Sequence, residues 1–295
     1  MLRYYRTMDV RRLSILGVGL LGGSVGLACR RVATNCQIAG YGHRPATLQL
    51  ALARGAIDEA HDDPTAAVRG ADLVVLCTPV GLFDDLLRRI APALAPGAIV
   101  TDVGSTKRSV VAAGERLVPA HAHFVGSHPM AGSERRGVGH ADAGLFHNAL
   151  CILTPTARTN ADALTKVDAF WQSLGMRTVT TSPEDHDRRV CDVSHLPHAV
   201  AAAMVLLQED AALDLAGRGF LDATRIAAGD GALWRDIFVD NADNLRAGVT
   251  RLRNQLDELT ALLAPGNADQ LKGWLDRAAD RRAGMSQGPQ AVEPT

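Results

Sequence analysis

Leu13-Ser14-Ile15-Leu16-Gly17-Val18-Gly19-Leu20-Leu21-Gly22-Gly23-Ser24 is the stretch on which the fold of this chain turns. A short apolar run suited to a buried strand passes into a glycine turn, and the turn passes into a helical pattern. The glycines permit a tight turn, close approach of a pyrophosphate, and close packing of the following helix on a sheet. The N-terminus of that helix offers unpaired N–H groups to phosphate oxygens. Gly17, Gly19, Leu20, Leu21 and Gly22 are therefore the expected dinucleotide contacts. The pattern alone is a weak signal, and its place directly between a strand and a helix is what gives it weight.

The same alternation continues outward. Leu13–Leu16, Gln37–Tyr41, Leu73–Cys77, Ala98–Thr101 and Phe124–Gly126 read as strands separated by amphipathic stretches, which implies βαβ units and a parallel sheet. Ala149–Leu153 and Arg177–Thr180 flank the helical segment Ala161–Leu174 and complete the sheet edge. At Ser182-Pro183-Glu184-Asp185 the texture changes, because a capping Ser, a Pro at the first helical position and nearby acids mark a helix start. Beyond it only helical spacing follows: His186–Glu209, Ala212–Ala216, Ala232–Ala264 and Ala268–Ala283. The expected architecture is an α/β Rossmann-type parallel-sheet domain (residues 11–181) followed by an all-α substrate and dimerisation domain (182–283). Residues 1–10 read as a leader and 284–295 as a disordered tail.

Ligands of open parallel sheets lie beyond the carboxyl ends of the strands. After the second strand, where an acid would hold a free ribose 2′-hydroxyl, the chain reads Gly40-Tyr41-Gly42-His43-Arg44-Pro45. Gly42 removes the repulsion a carboxylate would exert on a 2′-phosphate, and Arg44 is placed to pair with one. NADP, or use of both NAD and NADP, is the expectation; the alternative is that Arg44 only starts the next helix. Thr78 and Ser105 close two further strands on the cofactor side. Ser105, in Asp102-Val103-Gly104-Ser105-Thr106-Lys107, has helix N-cap as its competing role.

Composition narrows the function. The 295 residues are 47% apolar and 21% charged with a formal net charge of −1, enough for a real core and without the basic footprint of a nucleic-acid or acidic-membrane binder. A small-molecule partner is expected. Cys29, Cys36, Cys77, Cys151 and Cys191 are isolated and show no CxxC spacing, which argues against a disulfide framework or a thiolate zinc site and points to the cytoplasm. The most apolar run, Leu196–Leu207, is interrupted by Pro197 and His198 and is too short to span a bilayer.

Gly126-Ser127-His128-Pro129-Met130-Ala131-Gly132 reads as a loop that presents His128 as a proton acceptor near neutral pH. In the helical half, Ser194-His195-Leu196-Pro197-His198 sets two histidines on one helix face. Without an HExxH pattern or an obvious third ligand, they read as lining a polar cleft or an interior network, and no metal is expected. Arg225, in Phe220-Leu221-Asp222-Ala223-Thr224-Arg225-Ile226-Ala227, suits bidentate capture of a carboxylate, with a salt bridge to Asp222 or Asp236 as its structural alternative.

Taken in order, GxGxxGGS, DVGSTK, GSHPMAGSERRG, SHLPH and DATRIA with WRDIF resemble the prephenate/arogenate dehydrogenase family of tyrosine biosynthesis, from about Leu13 to Leu263. The resemblance implies NAD(P)-dependent oxidative decarboxylation of prephenate to 4-hydroxyphenylpyruvate, with arogenate as an additional or alternative substrate. It implies His128 as acceptor of the ring-hydroxyl proton and Ser105 as its orienting partner near the nicotinamide. Arg225 would hold a carboxylate, His195, His198 and Trp234 would shape the pocket, and the helical domain would form a homodimer. Two competing readings are a β-hydroxyacid-type dehydrogenase, which lacks a suitable lysine here, and a dinucleotide sensor without turnover.

Overall fold

The computed structural model describes residues 10–132 and 135–285. Most of the expected leader and tail therefore lie outside the described residues, as do Ser133 and Glu134 of the GSERRG segment. Eight strands, β1 Arg12–Leu16, β2 Gln37–Tyr41, β3 Glu59–His61, β4 Leu73–Leu76, β5 Ile99–Asp102, β6 His123–Pro129, β7 Leu150–Thr154 and β8 Arg177–Thr180, form one sheet in the order β3-β2-β1-β4-β5-β6-β7-β8. β1 to β6 run parallel, β7 is antiparallel to β6, and β8 is parallel to β7. The helices α1 Leu20–Val32, α2 Pro45–Ala53, α3 Pro64–Val68, α4 Phe83–Ile90, α5 Arg108–Leu117 and α6 Ala161–Ser173 connect them.

Both faces of the sheet are buried, as parallel sheets require. Leu13, Ile15, Ile38 and Val75 pack on one side with Phe146 and Trp171, while Leu16, Val74, Leu76 and Val100 pack on the other with Phe83 and Phe124. The short edge strand β3 has too few residues to show a period and was not expected from the sequence.

After β8 the chain is helical: α7 Pro183–Val190, α8 Leu196–Leu206, α9 Asp210–Leu213, α10 Arg218–Thr224, α11 Gly231–Asp240, α12 Ala242–Leu262 and α13 Ala268–Met285. The expected helix His186–Glu209 is broken into α7 and α8 by a π-helical turn at Cys191–His195. Pro197 supplies the cause, since it withholds a backbone donor at the start of α8. The expected helix Ala232–Ala264 is likewise broken, with Asn241 as the C-cap of α11.

The described residues separate into two compact units, one ending at Asn244 and the other running from Leu245 to Met285. The first holds the sheet and every residue proposed for the site. The second contains most of α12 and all of α13, with an Arg277–Glu258 ion pair at 3.4 Å and exposed Leu256, Leu263 and Leu275. Among the described residues no helix is long and apolar enough to cross a membrane.

Candidate active site

Gly17 leaves β1 with φ +108°, and a Cβ there would lie 2.7 Å from the Cys77 carbonyl carbon and 2.8 Å from the Thr78 nitrogen. Only glycine fits this close approach of two backbones. Gly19 is the N-cap of α1, has no side-chain cap, and would point a Cβ into open space. No acid lies in the first turn of α1. The result is a helix N-terminus whose first N–H groups have no intrahelical partner, with no acid in its own first turn and open space beside Gly19, which fits a dinucleotide pyrophosphate. Leu20, Leu21 and Gly22 form that first turn. Gly42 follows β2 beside Leu48, and Arg44 is the exposed N-cap of α2.

Along the carboxyl edge of the sheet, Gly17, Thr78 and Ser105 follow the ends of β1, β4 and β5, and His128 lies near the end of β6, these four strands being successive neighbours. Ser105 caps no helix, because α5 begins at Arg108 with Lys107 as its N-cap. His128 is not in a loop. It lies within β6, opposite Ile152 of β7, and is 7% exposed. Its neighbour Ser127 is fixed on all sides: its N–H donates to Asp102 Oδ1 (3.0 Å), its hydroxyl to the Asp102 carbonyl (2.5 Å), and Trp171 Nε1–H donates to it (3.0 Å).

His128 Nδ1 lies 2.9 Å from His186 Nε2, and His186 Nδ1 lies 2.8 Å from Asp187 Oδ1. Burial opposes ionisation of Asp187, but bonds from His186 and from the backbone N–H groups of Arg108 and Lys107 outweigh it and hold the carboxyl below its ordinary range. An ionised Asp187 takes a proton-bearing Nδ1 from His186. The free His186 Nε2 then accepts from His128 Nδ1–H, which leaves the lone pair of His128 on Nε2. Burial, with repulsion from His186, Lys107 and His195, holds His128 well below the usual histidine pKa. The arrangement yields a neutral imidazole in a defined tautomer at neutral pH.

A second buried chain reaches the other histidines. Asn241 Oδ1 accepts from Arg108 Nη2 (3.2 Å) and Asn244 Nδ2 (2.8 Å), which orients its amide so that Nδ2 donates to the Asp187 carbonyl (2.8 Å) and to His195 Nδ1 (3.1 Å). His195 must then carry its proton on Nε2, a buried atom with no hydrogen-bond partner. Burial in the main holds its pKa down to about 4, so it stays a neutral donor. His198 stacks on Trp234 with ring centroids 3.5 Å apart, and its Nδ1 is also buried without a partner. Trp234 lies edge-on to His195 at 6.2 Å. Two buried imidazole nitrogens without a hydrogen-bond partner thus sit on side chains that contact one indole, and both retain hydrogen-bonding capacity for a polar group.

His128, His195, His198 and Trp234 are thus joined through contacts. Arg225 is exposed and opens the 3₁₀ turn Arg225–Ala228, just before Gly229, whose Cβ would meet Trp234 and His198. His186, Asp187 and Asn241 were not singled out in the sequence. Pro183, His186, Asp187 and Val190 are buried at helical spacing, and buried polar members of such a stripe must find partners. Among the described residues no group of three or more His, Cys, Asp or Glu is placed to hold a metal ion.

Comparison with known proteins gives two family matches, the nucleotide-binding domain of prephenate dehydrogenase over residues 25–180 and its dimerisation domain over 182–277. The chain is 33% identical to a prephenate dehydrogenase of Bacillus subtilis, covering 92% of this chain and 75% of that protein. The structure of prephenate dehydrogenase from A. aeolicus in complex with hydroxyphenyl propionate and NAD+ superposes with a TM-score of 0.89 at 32% identity, over 95% of this chain and 100% of that one. A Synechocystis arogenate dehydrogenase follows at TM-score 0.80 and 30% identity, over 93% and 99%.

Proposed function

The chain belongs to the prephenate dehydrogenase family, and on that premise we propose that it oxidises prephenate to 4-hydroxyphenylpyruvate with His128 as the base, arogenate being the second candidate substrate. It is an oxidoreductase of prephenate or arogenate that binds NAD(P). The observation that carries the assignment of His128 is its hydrogen bond to the His186–Asp187 pair, which leaves Nε2 as a lone-pair acceptor.

A nicotinamide dinucleotide, when bound, supplies the hydride acceptor. Gly17, Gly19, Leu20, Leu21, Gly22 and Thr78 would hold it, with Ser105 between it and His128. As the C–H electrons at the hydroxyl-bearing ring carbon depart as hydride, His128 Nε2 takes the hydroxyl proton and stabilises the positive character of that carbon. Breaking the bond to the ring carboxylate releases CO2, aromatises the ring, and lets the oxygen regain its proton. Arg225 anchors a substrate carboxylate, and His195 Nε2–H and His198, stacked on Trp234, line the pocket. A neutral His128 is the form this step requires, and burial supports it.

NADP, or both dinucleotides, is the cofactor reading, supported by Gly42 in place of an acid and by exposed Arg44. A homodimer through the helices after residue 181 is supported by α8, an apolar helix in which only His198 and Ala201 are buried, and by Leu206 and Leu215, each 85% exposed. The five free cysteines fit the cytoplasm. The test is reduction of NAD and NADP by the pure protein with prephenate and with arogenate. Turnover of prephenate supports the reading, turnover of arogenate alone moves the substrate assignment, and turnover of neither removes it.

A further inference from the structure

Lys107 takes no part in the chemistry above, yet it ends the Asp102–Lys107 segment fully buried and ion-paired with an equally buried Asp102. Pairing alone does not account for it, since buried ion pairs are often replaceable by apolar side chains without loss of stability. The two residues reach both ends of the histidine relay, Asp102 through its carboxylate and Lys107 through its backbone N–H. Asp102 Oδ1 accepts the N–H of Ser127, the residue before His128, and Asp102 Oδ2 accepts from Gly104 N at 2.8 Å. The Lys107 N–H donates to Asp187 Oδ1 at 2.7 Å, the oxygen that also takes the His186 proton. Gly104 lets the segment close on the pair, because a Cβ there would lie 2.8 Å from Asp102 Oδ2 and 3.2 Å from Lys107 Nζ.

We propose that the Lys107–Asp102 pair is a positioning device for His128, its buried ammonium keeping the adjacent His128–His186 pair uncharged and in a single tautomer. The proposal rests on the reading of His128 as the base. The surrounding charges are consistent with it. The ammonium opposes protonation of both imidazoles. From α7, Asp187 favours a proton on His186, but its carboxylate already accepts from two backbone N–H groups and the Arg108 guanidinium. From β5, Asp102 is matched by Lys107 itself. From β7, the buried Cys151 thiol is pushed up and stays neutral, and from the π turn His195 is held neutral.

The test is histidine-selective ¹⁵N NMR from about pH 8 down to the acid edge of the folded range, because His128 is held well below the ordinary histidine pKa. It uses the wild type, Lys107→Met, and Asp102→Asn/Lys107→Met, the double variant leaving no buried charge alone. The wild-type spectrum is expected to show His128 neutral with its proton on Nδ1. In the variants the His128 titration moves up by about one pH unit, a roughly tenfold smaller neutral fraction below it, and the acid limb of kcat/KM moves with it. An unmoved His128 titration in the folded double variant overturns the proposal. A wild-type His128 protonated on Nε2, or charged near pH 6.5, overturns it without any variant. A shifted NMR titration with an unshifted rate profile upholds the action of Lys107 on His128 and removes His128 as the base.

Discussion

The glycine turn after β1 and the histidine network beneath β6 are built by opposite means. The turn is local: Gly17, Gly19 and Gly22 are close in sequence, and at Gly17 and Gly22 a Cβ would collide with neighbouring backbone, so only glycine fits. The network is assembled from afar, with His128 on β6, His186 and Asp187 on α7, Asn241 after α11, and Lys107 before α5. Perturbing the turn should therefore act on the cofactor through shape, whereas perturbing the network should act on turnover through charge and tautomer.

Replacing His128 with Asn should have the largest effect, lowering kcat by about 10²-fold or more with little change in KM, as loss of a general base does. Wild-type kcat in that variant would end the comparison. Asp187→Asn preserves the shape of the network while removing the charge that selects the His186 tautomer, and should lower kcat by about thirtyfold. If kcat holds and only thermal stability drops, Asp187 is structural.

Gly17→Ala tests the other region. A Cβ against the Cys77 carbonyl carbon at φ +108° should raise KM for the dinucleotide by about tenfold, of the order that backbone strain of ~1–3 kcal/mol produces. Steady-state titration with NAD and NADP checks it, and an unchanged KM would show that the turn does not contact cofactor. Arg225→Ala should raise KM for the ring substrate while leaving KM for the dinucleotide in place, again by about tenfold. Equal shifts in both would argue against a carboxylate anchor.

The smallest effect concerns stability. His128, His186 and His195 resist protonation in the fold, burial being the first cause, so below the ordinary histidine pKa of 6.5 the unfolded chain binds protons that the native state does not. Stability should be fully present above that pH and fall as pH drops toward about 4, where His195 titrates. Thermal melts across this window check the sign, and a Tm that rises on acidification would contradict it.

What the sequence reveals follows the same division. The alternation of strands and helices, the glycine turn after β1 and the helical second half are written in local sequence pattern. His128 is legible as a residue but not as part of a strand, because Gly126 and Pro129 look like loop punctuation. In the fold Gly126 is small because Thr154 and Val111 press against it, and Pro129 ends β6 against Cys151. His186 and Asp187 sit in the highly charged run Pro183–Val190, where only the buried stripe distinguishes them from a solvated helix face. Asn241 falls inside an apparently continuous helical pattern, so neither the break nor its bond to His195 has a local signature.

The most direct test of the account is the pH dependence of kcat/KM for the wild type beside that of His128→Asn. The wild type should lose activity on a single acid limb lying below pH 6.5, as a base held below the usual histidine range requires. In His128→Asn the residual activity should show no such limb. An acid limb at the same pH in both proteins would assign the titrating base to another group and contradict the central role given to His128.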